Sequence, residues 1–334
     1  MTYASPRLTI TALAARLGVS KATVSKALSP HPDRSDLAED TKSRIQAAAA
    51  RLGWTPDARR AARARRHLGN IGLVSQRSAP QAGGVYADLL DGLATALEST
   101  GRRLLFVPAL RTADWNRLLT DQRIDGAVLM EPLGDELASR IVRERFPAVV
   151  LNLASPLALP QICCDEAANL ALAVTHLAEA GHRIIAFLHS PGRQPHYSLD
   201  ERRAAFTAAC AIAGIEGIDV ALEALPFYRA WCAQPIASRP TAVIAYNHGD
   251  ACELARITRA DIPQRLSLVS CDDTETLAWL DPAITALTVP MTAMATVAIE
   301  RLIEEIEGRS MRSHTVIRVA GSLICRGSVA APAQ

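Results

Sequence analysis

The chain has 334 residues, with 36 basic and 34 acidic side chains, and a formal net charge of +2. That length provides for two to three domains with substantial buried cores. With 49% hydrophobic and 21% charged residues, wholesale disorder is excluded. The longest apolar runs, such as Ile184–Leu188 and Ala148–Leu151, are strand-sized, far below the ~20 residues a membrane span needs. Behind Arg7 the N-terminal segment has no apolar stretch, so no secretory signal is expected, and the cytoplasm is the expected compartment.

Seven cysteines (163, 164, 210, 232, 252, 271 and 325) follow no metal-type spacing. Cys163 and Cys164 are adjacent on an expected strand, where side chains alternate between faces, and so they chelate poorly. Reduced thiols, no metal and no cofactor are therefore expected. The small net charge conceals an asymmetry. Residues 1–69 carry 13 basic against 5 acidic groups, a net of +8, whereas residues 70–334 have a net of −6. A basic head on an acidic body suits a polyanion-binding module attached to something that should not bind polyanions.

In chain order, Ile10, Leu13, Ala14 and Leu17 mark the inward face of a short helix capped by Thr9. Gly18 supplies its left-handed stop, and Ser20 caps a second helix that buries Val19, Val24 and Leu28. The small Ala14 lets the two helices cross closely, as in a helix-turn-helix. The second helix then exposes Lys21, Ala22, Thr23, Ser25 and Lys26, short, hydroxylic and cationic groups suited to the major groove. A third helix is expected over about Leu37–Leu52. The plain alternative is an unrelated small bundle with lysines on a solvated face; the +8 charge and the third helix weigh against it. Pro56 then opens a linker with five arginines at 59, 60, 63, 65 and 66, whose mutual repulsion phosphates would relieve.

From Asn70 onward strands and helices alternate. Expected strands are Asn70–Ser75, Arg103–Pro108, Gly126–Met130, Ala148–Asn152, Ile184–His189, Ala242–Ala245, Ser267–Cys271 and Thr315–Val319. Expected helices include Tyr86–Ser99, Glu166–Ala180, Glu201–Ala213 and Thr292–Glu307. Such alternation implies an α/β body of parallel sheets flanked by helices. Ligands of these sheets sit at the strands' carboxyl ends, which selects Asn152, Asn247 and Asp272 as candidates.

The segments Leu8–Leu28, Arg51–Asp57 and Asn70–Val74 together resemble the lactose/galactose-repressor family of bacterial transcription regulators. Later landmarks in the same order are Asp125-Gly126, Gly181-His182-Arg183, Pro240–Val243, Asp272-Asp273-Thr274, Asp281-Pro282 and Arg326. The resemblance implies an all-α helix-turn-helix domain over residues 1–54, a hinge helix or linker over 55–69, and a two-lobed, periplasmic-binding-protein-like effector and dimerisation body over 70–334. Lobe one would hold about 70–164 and 288–310, and lobe two about 165–287 and 311–330, with crossovers near Asp165, Thr288 and Met311. DNA contacts are implied for Thr9, Ser20, Lys21, Ala22, Thr23, Ser25 and Lys26, and at the hinge for Ala62 and Arg63. Effector contacts are implied for Tyr86, Asn152, Arg202, Asn247, His248 and Asp272, with Arg202 clamping the ligand and Tyr86 stacking on it.

The resemblance therefore implies a homodimeric repressor of a near-palindromic double-stranded operator, controlled by a small molecule such as a sugar, sugar acid or related metabolite. The chain departs from the family at Arg63, where a leucine wedge is usual, and arginine suits a narrow minor groove better than it parts base pairs. It departs again at His248, in place of an aspartate, at Val289, and in the short stretch Leu225–Arg239, so a less polyhydroxylated or an anionic ligand is expected. No leucine-heptad tail follows Arg326, so no tail-driven tetramer is expected. His182 is expected to cap a helix end. No nucleotide-loop, zinc-protease or hydrolase-elbow motif occurs, and no catalytic residue is nominated. Two other readings remain: a DNA-tethered enzyme acting on a sugar or nucleoside, and a ligand-binding protein whose head contacts RNA or protein.

Overall fold

The computed structural model describes residues 10–28, 37–52, 69–75, 85–108, 123–191, 196–309 and 315–332. It divides into two compact units, Met1–Arg66 and His67–Gln334. The expected cap Thr9, the hinge residues Ala62 and Arg63, and the linker arginines lie outside the described residues.

The first unit contains α1 (Ile10–Leu17), α2 (Lys21–Ala27) and α3 (Glu39–Arg51). Leu13, Ala14, Val24, Ala27, Ile45 and Ala49 form its core, with Ile10, Leu17, Val19, Leu28 and Leu37 packed around them. Gly18 lies at φ +65, the left-handed geometry the turn demands. Ser20 Oγ accepts from the Thr23 amide at 3.0 Å, capping α2. Gln46 on α3 reaches the open C-terminus of α2 by donating to the Ala27 carbonyl at 3.1 Å.

The second unit is built on two six-stranded sheets. Sheet one has strands β1 (Asn70–Ser75), β2 (Arg103–Pro108), β3 (Gly126–Leu129), β4 (Ala148–Leu151), β5 (Gln161–Cys164) and β11 (Val316–Val319). Their order is β11-β5-β4-β3-β1-β2, and every neighbouring pair is parallel. One face is covered by α4 (Val85–Glu98) and α11 (Met291–Glu307), enclosing Leu89, Leu93, Met294, Ile299 and Leu302. The other face carries α5 (Asp135–Glu144), through Leu137 and Ile141. Residues buried on both faces explain why these strands read as near-continuous apolar runs.

Sheet two has β6 (Ile184–His189), β7 (Glu216–Ala221), β8 (Ala242–Ala245), β9 (Ser267–Ser270), β10 (Thr285–Leu287) and β12 (Leu323–Ile324), in the order β12-β10-β9-β8-β6-β7. Only β12 runs antiparallel to its neighbour. Helices α6 (Glu166–Glu179) and α7 (Ser198–Ala213) cover one face. Helices α8 (Ala224–Ala233) and α9 (His248–Thr258) cover the other, around Trp231, Phe227 and Leu254; a short α10 (Glu275–Trp279) follows β9.

The chain crosses between the sheets after Cys164, after Leu287 and after Val319. The third crossing corrects the expectation of Met311: β11 pairs with β5, so residues 316–319 belong to lobe one. The alternating Thr315–Val319 run allowed a strand in either lobe, and its register with Gln161–Cys164 decides the matter. Asn169 gathers all three crossings. Its Nδ2 donates to the Thr288 carbonyl at 3.2 Å, and its Oδ1 accepts from the Gly321 amide at 2.8 Å. A Cβ at Gly321 would stand 2.1 Å from the Thr288 carbonyl oxygen, so only glycine fits there.

His182 also departs from expectation. Its ring does not cap a helix end but joins two strand segments, bonding Thr241 Oγ1 at 2.8 Å and Ser267 Oγ at 3.0 Å. Burial lowers its pKa from 6.5 to about 4, against the opposing Ala330 carbonyl. Between these values the unfolded chain holds a proton that the folded chain rejects, so this contribution is complete above pH 6.5 and is lost as pH falls through 4. Urea titrations should show stability falling by up to about 1 kcal/mol per pH unit in that window, and His182→Gln should flatten the fall. A second expectation concerns the crossings. Gly321→Ala must part backbone from backbone and should cost about 2 kcal/mol or more, read as a drop in Tm of several degrees by calorimetry; an unchanged Tm would refute the close approach.

Candidate functional site

The DNA-facing candidates divide by their surroundings. Lys21, Ala22, Ser25 and Lys26 are exposed on α2, whereas Thr23 is half-buried and its hydroxyl sits 2.8 Å from Ser20 Oγ. Ser20 and Thr23 thus serve the helix cap, and the remaining four form the accessible face.

In the second unit, Asn152 follows β4 with φ +51, a left-handed conformation that asparagine tolerates better than most residues. Its amide donates to the Ile162 carbonyl at 2.8 Å, which fixes the turn. Its carbonyl accepts from His196 Nε2 at 2.9 Å, and its Oδ1 accepts from the Tyr197 hydroxyl at 3.1 Å. Asn152 belongs to lobe one, while His196 and Tyr197 lead into α7 of lobe two, so the lobes meet here. His196 Nδ1 faces Ser198 Oγ at 2.9 Å, and that hydroxyl in turn faces the Tyr246 hydroxyl at 3.1 Å. Burial lowers the pKa of His196, and the charge of Arg202 adds to this. The neutral ring with its proton on Nε2 fits both contacts.

Arg202 lies one turn into α7, because the helix begins at Ser198 rather than at the expected Glu201. It is buried, with Nε donating to Glu166 Oε2 at 2.9 Å and Nη1 to the Tyr246 carbonyl at 2.7 Å. Its guanidinium lies 5.3 Å from the Tyr246 ring centroid. Burial works against its charge, but the Glu166 carboxylate more than offsets that and raises the pKa. Glu166 is itself only 2% exposed, so the two charges neutralise one another out of water.

Beyond β8 and Tyr246, Asn247 caps α9, its Oδ1 accepting from the Asp250 amide at 2.9 Å. The backbone amide of His248 donates to Asp272 Oδ1, and its Nδ1 lies 2.9 Å from Asp272 Oδ2. Ser270 Oγ donates to the Asp272 carbonyl at 2.7 Å. The adjacent Asp273 turns away to accept two bonds from Arg326, each at 2.8 Å. These neighbouring carboxylates therefore diverge, as a strand end requires, and the landmarks Asp273 and Arg326 are each other's partners.

Asn152 and Arg202 are thus linked through His196, Ser198 and Tyr246, and Asn247 and the His248–Asp272 pair follow Tyr246 in the chain. Tyr86, in the first turn of α4, packs on the core of lobe one. Sequence reasoning missed His196, Tyr197, Ser198, Tyr246 and Glu166, which complete the network. The available signal was position: Glu166 follows the Asp165 cap at a crossover, and Tyr246 precedes Asn247 at a strand end. Cys163, Cys164 and Cys271 are buried nearby as free thiols. Burial raises all three, Cys164 to about 12, which keeps them protonated and unreactive. Among the described residues, no group of three or more His, Cys, Asp or Glu is placed to hold a metal ion.

Two sheets, parallel throughout except at β12, are linked by three crossings as a periplasmic-binding-protein-like body, and the N-terminal unit has helix-turn-helix geometry. Residues 174–329 match the family described as periplasmic binding protein-like domain. The chain is 28% identical to the transcriptional repressor PurR of Serratia proteamaculans over 96% of its length and 97% of that protein. It is 27% identical to the regulator AscG of Escherichia coli, over 98% and 99% of the two chains. Among solved structures, a LacI family regulator from Bifidobacterium animalis superposes with TM-score 0.64 at 25% identity, covering 80% of this chain and all of that one. The Lac repressor bound to ONPG has the same fold, with TM-score 0.63 at 21% identity over 97% and 100%. Along nearly its whole length the chain is thus similar to helix-turn-helix transcription regulators and repressors. No helix among its described residues is long and apolar enough to cross a membrane.

The buried pair yields its own expectation. Arg202→Met strands Glu166 and should destabilise the body by about 3–5 kcal/mol, whereas adding Glu166→Leu should recover most of the loss. Denaturant midpoints of the three proteins decide the matter, and an unaffected Arg202→Met protein would show that the pair does not form.

Proposed function

We propose that this protein is a homodimeric repressor that reads a near-palindromic operator with α2 and is controlled by a small polar metabolite held between its lobes. The observation that carries this reading is the convergence of lobe one's Asn152 and lobe two's His196–Arg202 turn, on a chain that also bears a helix-turn-helix. Lys21, Ala22, Ser25 and Lys26 would face the major groove, and Ala62 and Arg63 of the linker the minor groove. Arg202, Asn152, Asn247, His248, Asp272 and Tyr86 would surround the effector, a sugar or related metabolite. Relatives point the same way: structures of this fold include a CelR–cellobiose complex and the Lac repressor dimer bound to operator.

The carboxylates of the site support binding rather than turnover. Glu166 faces Arg202, Asp272 faces His248 and Asp273 faces Arg326, so each is committed to a partner. A protein whose ligand is a signal returns it unchanged, and its place of action is the cytoplasm, beside the chromosome.

The test begins with selection of bound fragments from genomic DNA. The recovered site should be near-palindromic, with half-sites about one helical turn apart. Lys26→Ala should weaken that site by about 1–3 kcal/mol more than random DNA. Equal losses on both would make Lys26 a phosphate contact, and recovery of no preferred sequence would overturn the reading. Neutral sugars and sugar acids titrated into the complex then identify the effector. Arg202→Lys keeps a charge against Glu166 but loses the planar fork, so it should abolish the response and leave unliganded affinity within about threefold.

A further inference from the structure

The turn that carries Arg202 is tied to the opposite lobe by more than Asn152. Glu201, the preceding residue, accepts from Arg318 Nη1 at 2.8 Å and from Nη2 at 3.0 Å, a two-pronged ion pair. Glu201 is on α7 of lobe two, and Arg318 is on β11, the edge strand of sheet one. Arg318 Nη1 also lies 3.4 Å from the Cys164 carbonyl, at the end of the neighbouring strand β5. The seven residues from His196 to Arg202 therefore make three bonded contacts to lobe one and, through Arg202, two to lobe two.

The three bridges differ in character. His196 and Tyr197 offer neutral hydrogen bonds to Asn152, which follows β4. Glu201 and Arg318 offer opposite charges in fork geometry, the strongest directional pairing available to side chains. Their side chains remain 33% and 44% exposed, so the pair is open to screening by salt. Glu201 and Arg202 are consecutive, and Arg202 is locked to Glu166 and to the Tyr246 carbonyl. The lobes cannot separate around Arg202 without extending or breaking the Glu201–Arg318 pair.

We propose that Glu201 and Arg318 form an interlobe clasp that holds the cleft closed at rest and sets how readily it opens. This rests on the reading of the cleft as the effector site. The clasp acts through position and touches no ligand. Effector entry then competes with one partly exposed ion pair, so the resting equilibrium shifts with ionic strength before any ligand is present.

The test uses the full chain, without DNA or effector. One spin label is placed at Arg143→Cys in lobe one and another on the native, exposed Cys232 of lobe two, with Cys252 and Cys325 changed to serine. The labelled chain is diluted in unlabelled chain, so that only distances within one protomer are read. In Glu201→Gln the longer-distance, open population should rise about three- to fivefold, as loss of one exposed pair allows. The charge-swapped Glu201→Arg/Arg318→Glu protein should return to the parent distribution. High salt should open the parent and leave Glu201→Gln unchanged. Identical distributions in parent and Glu201→Gln overturn the proposal, and so does an opened variant that the swap fails to close. Loss of operator binding or of effector response would fall on the proposed function instead, because the distances need neither.

Discussion

The three crossings between the lobes meet at the amide of Asn169, a fully buried side chain in the first turn of α6. It donates to the Thr288 carbonyl and to Cys164 Sγ, and accepts from the Gly321 amide, so it touches each of the three crossings. A buried amide left without these partners would cost free energy comparable to the bonds it makes, and the crossings are therefore held in register. Thr288 adds a second lacing, its Oγ1 accepting from the Ser322 amide at 2.8 Å. The passage of the chain between the lobes is therefore tied at one place.

Against that anchor, the charges of the site are arranged to cancel. Arg202 answers Glu166, His248 faces Asp272 and Arg326 answers Asp273, while Glu201 answers Arg318 across the lobes. The first of these pairs is buried, where loss of either partner is costly, and the last is half exposed, where it is not. Structural permanence and adjustable closure are thus assigned to consecutive residues of one helix. Arg202 fixes α7 to its own lobe, and Glu201 reaches for the other.

Much of this was legible in the sequence, because strand–helix alternation and buried apolar runs state an α/β body directly. Ile184–His189 and Ala242–Ala245 appear with the expected bounds, since each is built on an uninterrupted apolar run. Strand β7 was illegible: Glu216–Ala221 lies at a sheet edge, is largely exposed, and alternates too weakly to stand out. The third crossing was misplaced for a similar reason, since a four-residue edge strand such as Val316–Val319 does not say which sheet it will extend. The site residues chosen by position do follow strand ends, but their partners could not be read. Tyr197, Tyr246 and Glu166 are ordinary residues by type, and only the meeting of distant segments gives them contacts. His182 shows the converse, where a plausible local role at a helix end gives way to two hydroxyls from distant strands.

The separation of charge along the chain completes the physical logic. A head with a net of +8 has a core of only a few side chains, and its lysines and arginines repel one another in the absence of a polyanion. Binding to phosphate releases counterions and relieves that repulsion, which makes the affinity steeply dependent on salt. A body with a net of −6 gains nothing from the same phosphates and is kept from competing for them. Its stability must rest on its own apolar layers, which the two sheets with helices on both faces supply. The two units thus divide by charge and by core: a small basic head suited to polyanions, and an acidic body stabilised by its own apolar layers.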